Sequence, residues 1–235
     1  ATYKNAKLQL VAGDVNRVQP EYPRAAMMRK NADMMMEAAA SALMAEESLL
    51  EYHLYTLYRP TTIAESQTKQ VALLSASNIP ARKELVLKGA EYYYTAQYGE
   101  IGTKLKVSTF VEFENKEASK LGMPLPKGVL RVYKKDKAGN AQFVGEDNID
   151  HTPKNETVRI KLGESFDVTA DKKQTEFKVL PNPQKGRSAY ESAFEFTLKN
   201  AKKEKMTVLV QEPIGGDWKI INENHPHQKA NSHLA

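Results

Sequence analysis

The sequence predicts a mainly β protein: two antiparallel β-sandwich, immunoglobulin-like domains with an Ala/Met-rich helical or flexible insertion. Three observations carry that expectation. Segments rich in Val, Ile, Tyr, Phe and Thr recur at roughly 8–12-residue spacing, which is the rhythm of a sandwich. Turn residues separate them. After residue 52 no helical pattern alternates with them, which argues against a parallel βαβ sheet.

Taken in order, Lys7 to Ala12 alternates and reads as a strand that ends at Gly13-Asp14. Pro20 and Pro23 then break the chain. Residues 24–52 contain no Gly or Pro, eight Ala and six of the eight Met in the chain. That composition favours a helix over about 24–50, although Glu46, Glu47 and Glu51 gather at the end where the helix dipole disfavours acids. A pliable linker is the alternative. Tyr52–Tyr58, Gln70–Leu74, Lys83–Leu87 and the aromatic Tyr92-Tyr93-Tyr94 read as strands. Leu105–Glu114 is the next. Val129–Lys134 and Gln142–Gly145 flank the turn Asp136–Asn140 and form a hairpin. Glu156–Leu162, Phe166–Val168, Glu176–Leu180, Ala193–Leu198, Met206–Gln211 and Asp217–Ile221 complete the set. The expected domains are residues 1–100, holding the insertion, and residues 101–235, with a boundary where Gly99 and Gly102 flank a polar stretch.

Composition narrows the function classes. The chain has 235 residues, and 34 Lys+Arg against 29 Asp+Glu gives a net charge of +5. The absence of cysteine excludes disulfides, a thiol nucleophile and thiolate metal ligands. The longest uncharged apolar-rich run, Ala38–Ala45, is far too short to span a membrane as a helix. The basic clusters Lys134–Lys137, Lys172-Lys173 and Lys202–Lys205 lie beside acids or turns and read as solvated hairpin tips. No nucleic-acid partner is expected from them.

The common catalytic strings for nucleophile elbows, zinc proteases, phosphate loops and dinucleotide sites are missing. Four weaker constellations remain. Asp147, Asp150 and His151 sit in Gly145–Pro153, where oxygen ligands could hold Ca²⁺ or an Asp–His pair could move a proton. The structural alternative is that these side chains satisfy backbone groups in a long turn. His225 and His227 flank Pro226 and could share a metal, and Met27, Met28, Met34, Met35, Met36 and Met44 offer thioethers for Cu(I). Surface roles and helix packing are the simpler uses of both. Tyr92, Tyr93, Tyr94 and Tyr98 could stack on a sugar, but neighbouring residues on a strand face opposite ways. No cofactor is expected.

The strings LQLVAGDVNRV (8–18), EYHLYTLYRPTTIAESQTKQVALL (51–74), LGMPLPKGVLRVYKKDKAGNAQFVGEDNIDHTPKNETVRIKLGESFDV (121–168) and GDWKIINENHPHQKANSH (216–233) resemble a bacterial domain-of-unknown-function family. It is the family grouped with mucoidy-inhibitor-A-like exported proteins, and the likeness spans nearly all of the chain outside the Ala/Met segment. The resemblance implies a periplasmic or otherwise exported β-sandwich protein with no assigned activity, so no catalytic residue is carried over. It also implies further strands before the first string and a closing strand after the last. The expected partner is therefore another protein, or a missing segment of the same polypeptide, completing the sandwiches. The expectation is a non-enzymatic interaction or structural module of the cell envelope. An envelope hydrolase using residues 147–151 and a metal-binding protein are the alternatives.

Overall fold

The computed structural model describes residues 1–13, 44–68, 73–181 and 189–229. Among them the chain is mainly β, with short 3-10 turns and no α-helix. The strands are β1 (Tyr3–Ala6), β2 (Gln9–Ala12), β3 (Met44–Leu49), β4 (Tyr52–Leu57), β5 (Thr61–Ile63) and β6 (Arg82–Lys88). The remainder are β7 (Glu100–Glu114), β8 (Gly128–Lys135), β9 (Ala141–Ile149), β10 (Thr157–Leu180), β11 (Ala189–Asn200) and β12 (Val208–Gln211). They form four sheets: β1-β5, β2-β4-β3, β8-β9 and the five-stranded β11-β10-β7-β6-β12.

The chain forms two compact units, each assembled from separate stretches. The first comprises Ala1–Pro80, Glu114–Gly128 and Ile149–Glu156; the second comprises Ala81–Phe113, Val129–Asn148 and Thr157–Ala235. The boundary expected after residue 100 falls at the start of β7, inside the second unit.

In the first unit, β4 is the central strand. It takes β2 on one side (Gln9↔Thr56 to Ala12↔His53) and β3 on the other (Met44↔Leu57 to Leu49↔Tyr52). The helix expected over 24–50 is corrected at its far end, where Met44–Leu49 is a strand; residues 24–43 lie outside the described residues. Pairing explains the reversal. A two-residue turn at Leu50-Glu51 brings Glu46 opposite Tyr55, and the Glu46 carboxylate meets His53 Nδ1 at 2.9 Å. A full ladder outweighs the fraction of a kcal/mol per residue that helix propensity offers.

Asn115 organises the rest of that unit. It is wholly buried. Its Nδ2 donates to Met123 O (2.7 Å) and Pro153 O (2.8 Å), and its Oδ1 accepts from Gly122 N (3.1 Å). Its backbone N–H donates to Glu156 O, and its carbonyl accepts from Asn155 N, both at 2.8 Å. One neutral side chain thus ties residues 115–123 to 153–156, and the Leu125↔Thr152 bridge extends the seam. Tyr55, 2% exposed, donates its hydroxyl to Pro124 O at 2.7 Å.

In the second unit, Leu85, Leu87, Val107, Val168 and Ala170 form a buried cluster on the five-stranded sheet. Leu105, Phe196, Met206, Val208 and Val210 pack against it. The all-antiparallel expectation is corrected at one seam, where β12 runs parallel to β6 (Val208↔Leu85 to Gln211↔Lys88). The two strands lie far apart in sequence, so no tight turn forces them antiparallel.

Four further expectations are corrected. The separate strands Glu156–Leu162, Phe166–Val168 and Glu176–Leu180 are one strand, β10, of 24 residues. Gly163 and the charged Asp171–Lys173 read as breaks, yet Asp171 spends its carboxylate on Lys104 N (2.8 Å) and the strand continues. Tyr92-Tyr93-Tyr94 is a 3-10 turn, Glu91–Tyr94. Asp217–Ile221 is irregular, and Trp218 packs its ring against His227 (6.2 Å) and Lys229 (4.6 Å). Of the strand expected at Gln70–Leu74, Leu73 and Leu74 are not in a strand and the remainder lies outside the described residues.

Candidate functional site

The alternation of β10 places Val168, Ala170, Lys172 and Gln174 on one buried face. The apolar pair continues the sheet core. The polar pair meets the 3-10 turn and the end of β12, and there it buries a charge.

Lys172 is 2% exposed. Its ammonium donates to Glu212 Oε2 at 2.7 Å, and the Tyr94 hydroxyl donates to the same oxygen at 2.8 Å. Four rings surround the ammonium: Tyr93 at 4.6 Å, Phe194 at 4.8 Å, Phe196 at 5.0 Å and Tyr94 at 5.6 Å from their centroids. Such rings offer their negative faces to a cation that water no longer reaches. Burial pulls the Lys172 pKa down, and its contact with Glu212 pushes back. Burial, then the Glu212 charge, pushes the Tyr94 hydroxyl well above its usual range. Glu212 Oε1 is buried without a hydrogen-bond partner. The carboxylate lies against Gly89, where a side-chain Cβ would stand 2.1 Å from Oε2, so the glycine makes room for it.

Gln174 fastens the turn above this pair. Its Nε2 donates to Tyr93 O (3.2 Å) and Ala96 O (3.0 Å), and its Oε1 accepts from Tyr98 N (2.7 Å). Its backbone N–H donates to Gly99 O (2.8 Å). The turn thereby gathers Tyr92, Tyr93 and Tyr98 into one ring cluster, with centroids 4.4 to 5.8 Å apart. Tyr94 points elsewhere, onto Phe194 at 4.8 Å. Strand geometry would have scattered the first three rings; the 3-10 turn brings two of them together and Tyr98 joins from beyond it. The hydrogen bond it shares with the Tyr92 hydroxyl (3.2 Å), and after it burial, pushes the Tyr93 hydroxyl pKa up to about 12.

Chemically, Lys172 is a walled-in charge rather than an available amine. Its ammonium, Glu212 and Tyr94 cross-link β10, the end of β12 and the turn. The sequence reading of Lys172-Lys173 as a solvated tip is corrected for Lys172, while Lys173 does lie at the surface and pairs with Glu100 at 3.1 Å. The signal is present in the sequence: Lys172 comes after Val168 and Ala170 at period two.

The residues singled out from sequence have simpler surroundings. Asp147 lies on β9, where its Oδ1 accepts from Asn148 N (2.9 Å) and its Oδ2 from Lys161 N (2.7 Å). Asp150 pairs with Lys127 Nζ at 3.0 Å, and His151 Nδ1 accepts from Lys127 N at 3.2 Å. Asp147 belongs to the second unit, Asp150 and His151 to the first. His225 is exposed; His227 Nδ1 contacts Glu223 Oε2 at 2.7 Å. Among the described residues no three or more His, Cys, Asp or Glu gather as a metal site would require. Met44 is on β3, and the other methionines of that run lie outside the described residues.

Comparison with family models, curated proteins and solved structures returns no match to this chain.

Proposed function

We propose that the protein is a non-enzymatic interaction module, built on sandwich-like packing of its sheets, that receives a partner polypeptide along β11. The observation that carries this reading is the edge itself. β11 runs for 12 residues, pairs with β10 through Ala189–Asn200, and has no described strand on its other side. A long open edge presents a row of backbone donors and acceptors to which a strand can add. Where β11 begins, its Tyr190 and the paired end of β10 carry apolar side chains that could receive those of a partner. Phe177 and Tyr190 stack at 5.6 Å, and Val179 is 68% exposed.

The likeness to exported bacterial proteins supports placing that partner in the cell envelope. Photo-crosslinking from Glu195 or Thr197 in intact bacteria tests the reading, with Ala138 in the β8–β9 turn as the control position. A discrete product from the β11 positions alone is expected. Equal yield from Ala138, or no product from β11, sinks the proposal.

A further inference from the structure

The tyrosine cluster is a separate feature from the β11 edge, and it is costly in a way that packing does not explain. Aromatic rings gathered to fill a core are buried. Here Tyr92 is 55% exposed and Tyr98 42% exposed, although the buried Gln174 spends three side-chain hydrogen bonds on holding their turn. Tyr93 belongs both to this cluster and to the ring cage of Lys172. The result is aromatic surface facing water on a hydrogen-bonded turn, an arrangement that lowers the ordering cost of binding.

We propose that Tyr92, Tyr93 and Tyr98 form a stacking site for a neutral glycan, specifically a chain of β-linked pyranoses. Geometry selects this ligand class. Adjacent rings are inclined by 54° (Tyr92–Tyr93), 66° (Tyr92–Tyr98) and 87° (Tyr93–Tyr98), with centroids 4.4, 5.8 and 5.7 Å apart. Those are contact distances for aromatic pairs, so nothing inserts between the rings. A proline helix, which seats its residues in slots between aromatics, finds no slot here. What the cluster offers instead is the exposed ring surface of Tyr92 and Tyr98, with the Tyr92 and Tyr93 hydroxyl oxygens 3.2 Å apart. A β-linked pyranose has the matching faces: axial C–H groups directed at a ring and equatorial hydroxyls directed at the rim. The neighbouring charges Lys173 and Glu100 pair with each other, which favours a neutral sugar over an anionic one.

The test is nuclear magnetic resonance of the whole chain titrated with cellotetraose and with chitotetraose at millimolar concentrations. Expected are shifts confined to amides of Tyr92–Gly99 and saturation transfer strongest at the axial ring protons of the sugar. Tyr98→Ala should weaken binding about tenfold, the loss of one stacked ring. Tyr98→Phe, which keeps the ring, should retain most of it and shows that a loss in the alanine variant is not misfolding. No shift with either sugar overturns the proposal. So does binding that Tyr98→Ala leaves unchanged, or a proline decamer that shifts the same amides when the sugars do not.

Discussion

Each unit of the molecule holds a buried polar device, and the two work by opposite chemistry. In the first unit Asn115 is neutral, and its amide makes three hydrogen bonds, each with a backbone group. In the second, Lys172 and Glu212 are a charged pair lodged among four rings, with one carboxylate oxygen left bare. A neutral amide gives up little hydration and recovers it in hydrogen bonds. A buried ion pair gives up much more, and mutual attraction need not recover it. The first device stabilises a loop junction; the second specifies an arrangement, because only one position of β12 and the turn brings Glu212 and Tyr94 to the ammonium.

The largest expected effect breaks the charged device. Glu212→Leu strands a buried ammonium and should destabilise the second unit by about 3–5 kcal/mol. The sole tryptophan, Trp218, lies in that unit, so its fluorescence through a denaturant titration reports the loss. Adding Lys172→Met should recover most or all of it, since apolar replacements of a buried pair are often neutral or better. If the double variant remains as unstable as Glu212→Leu, the pair contributes net stability and the contrast between the two devices fails.

Asn115→Ala comes next. It leaves two carbonyls and one N–H without their partner, at a cost of about 3 kcal/mol when each group is counted at the low end of an unmet buried hydrogen bond. No second substitution should rescue it, because the stranded partners are backbone. Circular dichroism through thermal unfolding, with Trp218 fluorescence in parallel, would show the loss outside the transition that Trp218 reports. A loss smaller than that of a surface substitution would remove Asn115 from its role.

How much of the structure is legible in the sequence divides along the same line. Short β-rich segments bounded by turn or charged residues, such as β4, β6 and β8, stand within a residue of where the sequence places them, whereas β7 and β11 begin four or five residues earlier. Asn115 carries no signal, because an asparagine in a polar loop looks like any other until three distant backbone groups converge on it. Lys172 reads as solvated for a physical reason: a lysine pair beside an aspartate ordinarily marks water, and only the period-two register with Val168 and Ala170 says otherwise. β3 reads as helix because Ala and Met favour one locally, whereas its ladder with β4 is decided elsewhere in the chain. The tyrosines would scatter on a strand, and it is Gln174, distant in sequence, that holds them in a tight turn instead.

Alkali should separate the units more gently. Burial, and secondarily the Glu46 charge, pushes the Tyr55 hydroxyl up to about 12 from an ordinary value of 10.0. The folded state therefore holds this proton where the unfolded state loses it. Its contribution is complete below pH 10.0 and is lost as pH rises to about 12. The full loss is about 2–3 kcal/mol by linkage. In the second unit the Lys172 shift acts the other way. Its folded pKa lies below the ordinary 10.5, so the unfolded state holds the extra proton and stability gains as pH climbs toward 10.5. Tyr94 then reverses the gain above the ordinary tyrosine value. Tyr55→Phe should abolish the alkaline slope of the first unit and leave that of Trp218 unfolding in place.

The smallest effect decides whether residues 147–151 hold chemistry or architecture. Asp147 accepts two backbone N–H bonds, whereas Asp150 meets one exposed lysine. Architecture thus predicts unequal costs: about 1 kcal/mol for Asp147→Ala, where Lys161 N loses its acceptor, and within about 0.5 kcal/mol of zero for Asp150→Ala. A hydrolytic site predicts a different pattern. Both carboxylates would then be dispensable for stability, and both variants, with His151→Ala, would abolish turnover of a peptide or glycan substrate. Because Asp147 and His151 each already have a backbone partner, the unequal stability pattern is the expected one. Equal melting temperatures for Asp147→Ala and the wild-type chain would remove the architectural explanation and reopen the acidic stretch as a site.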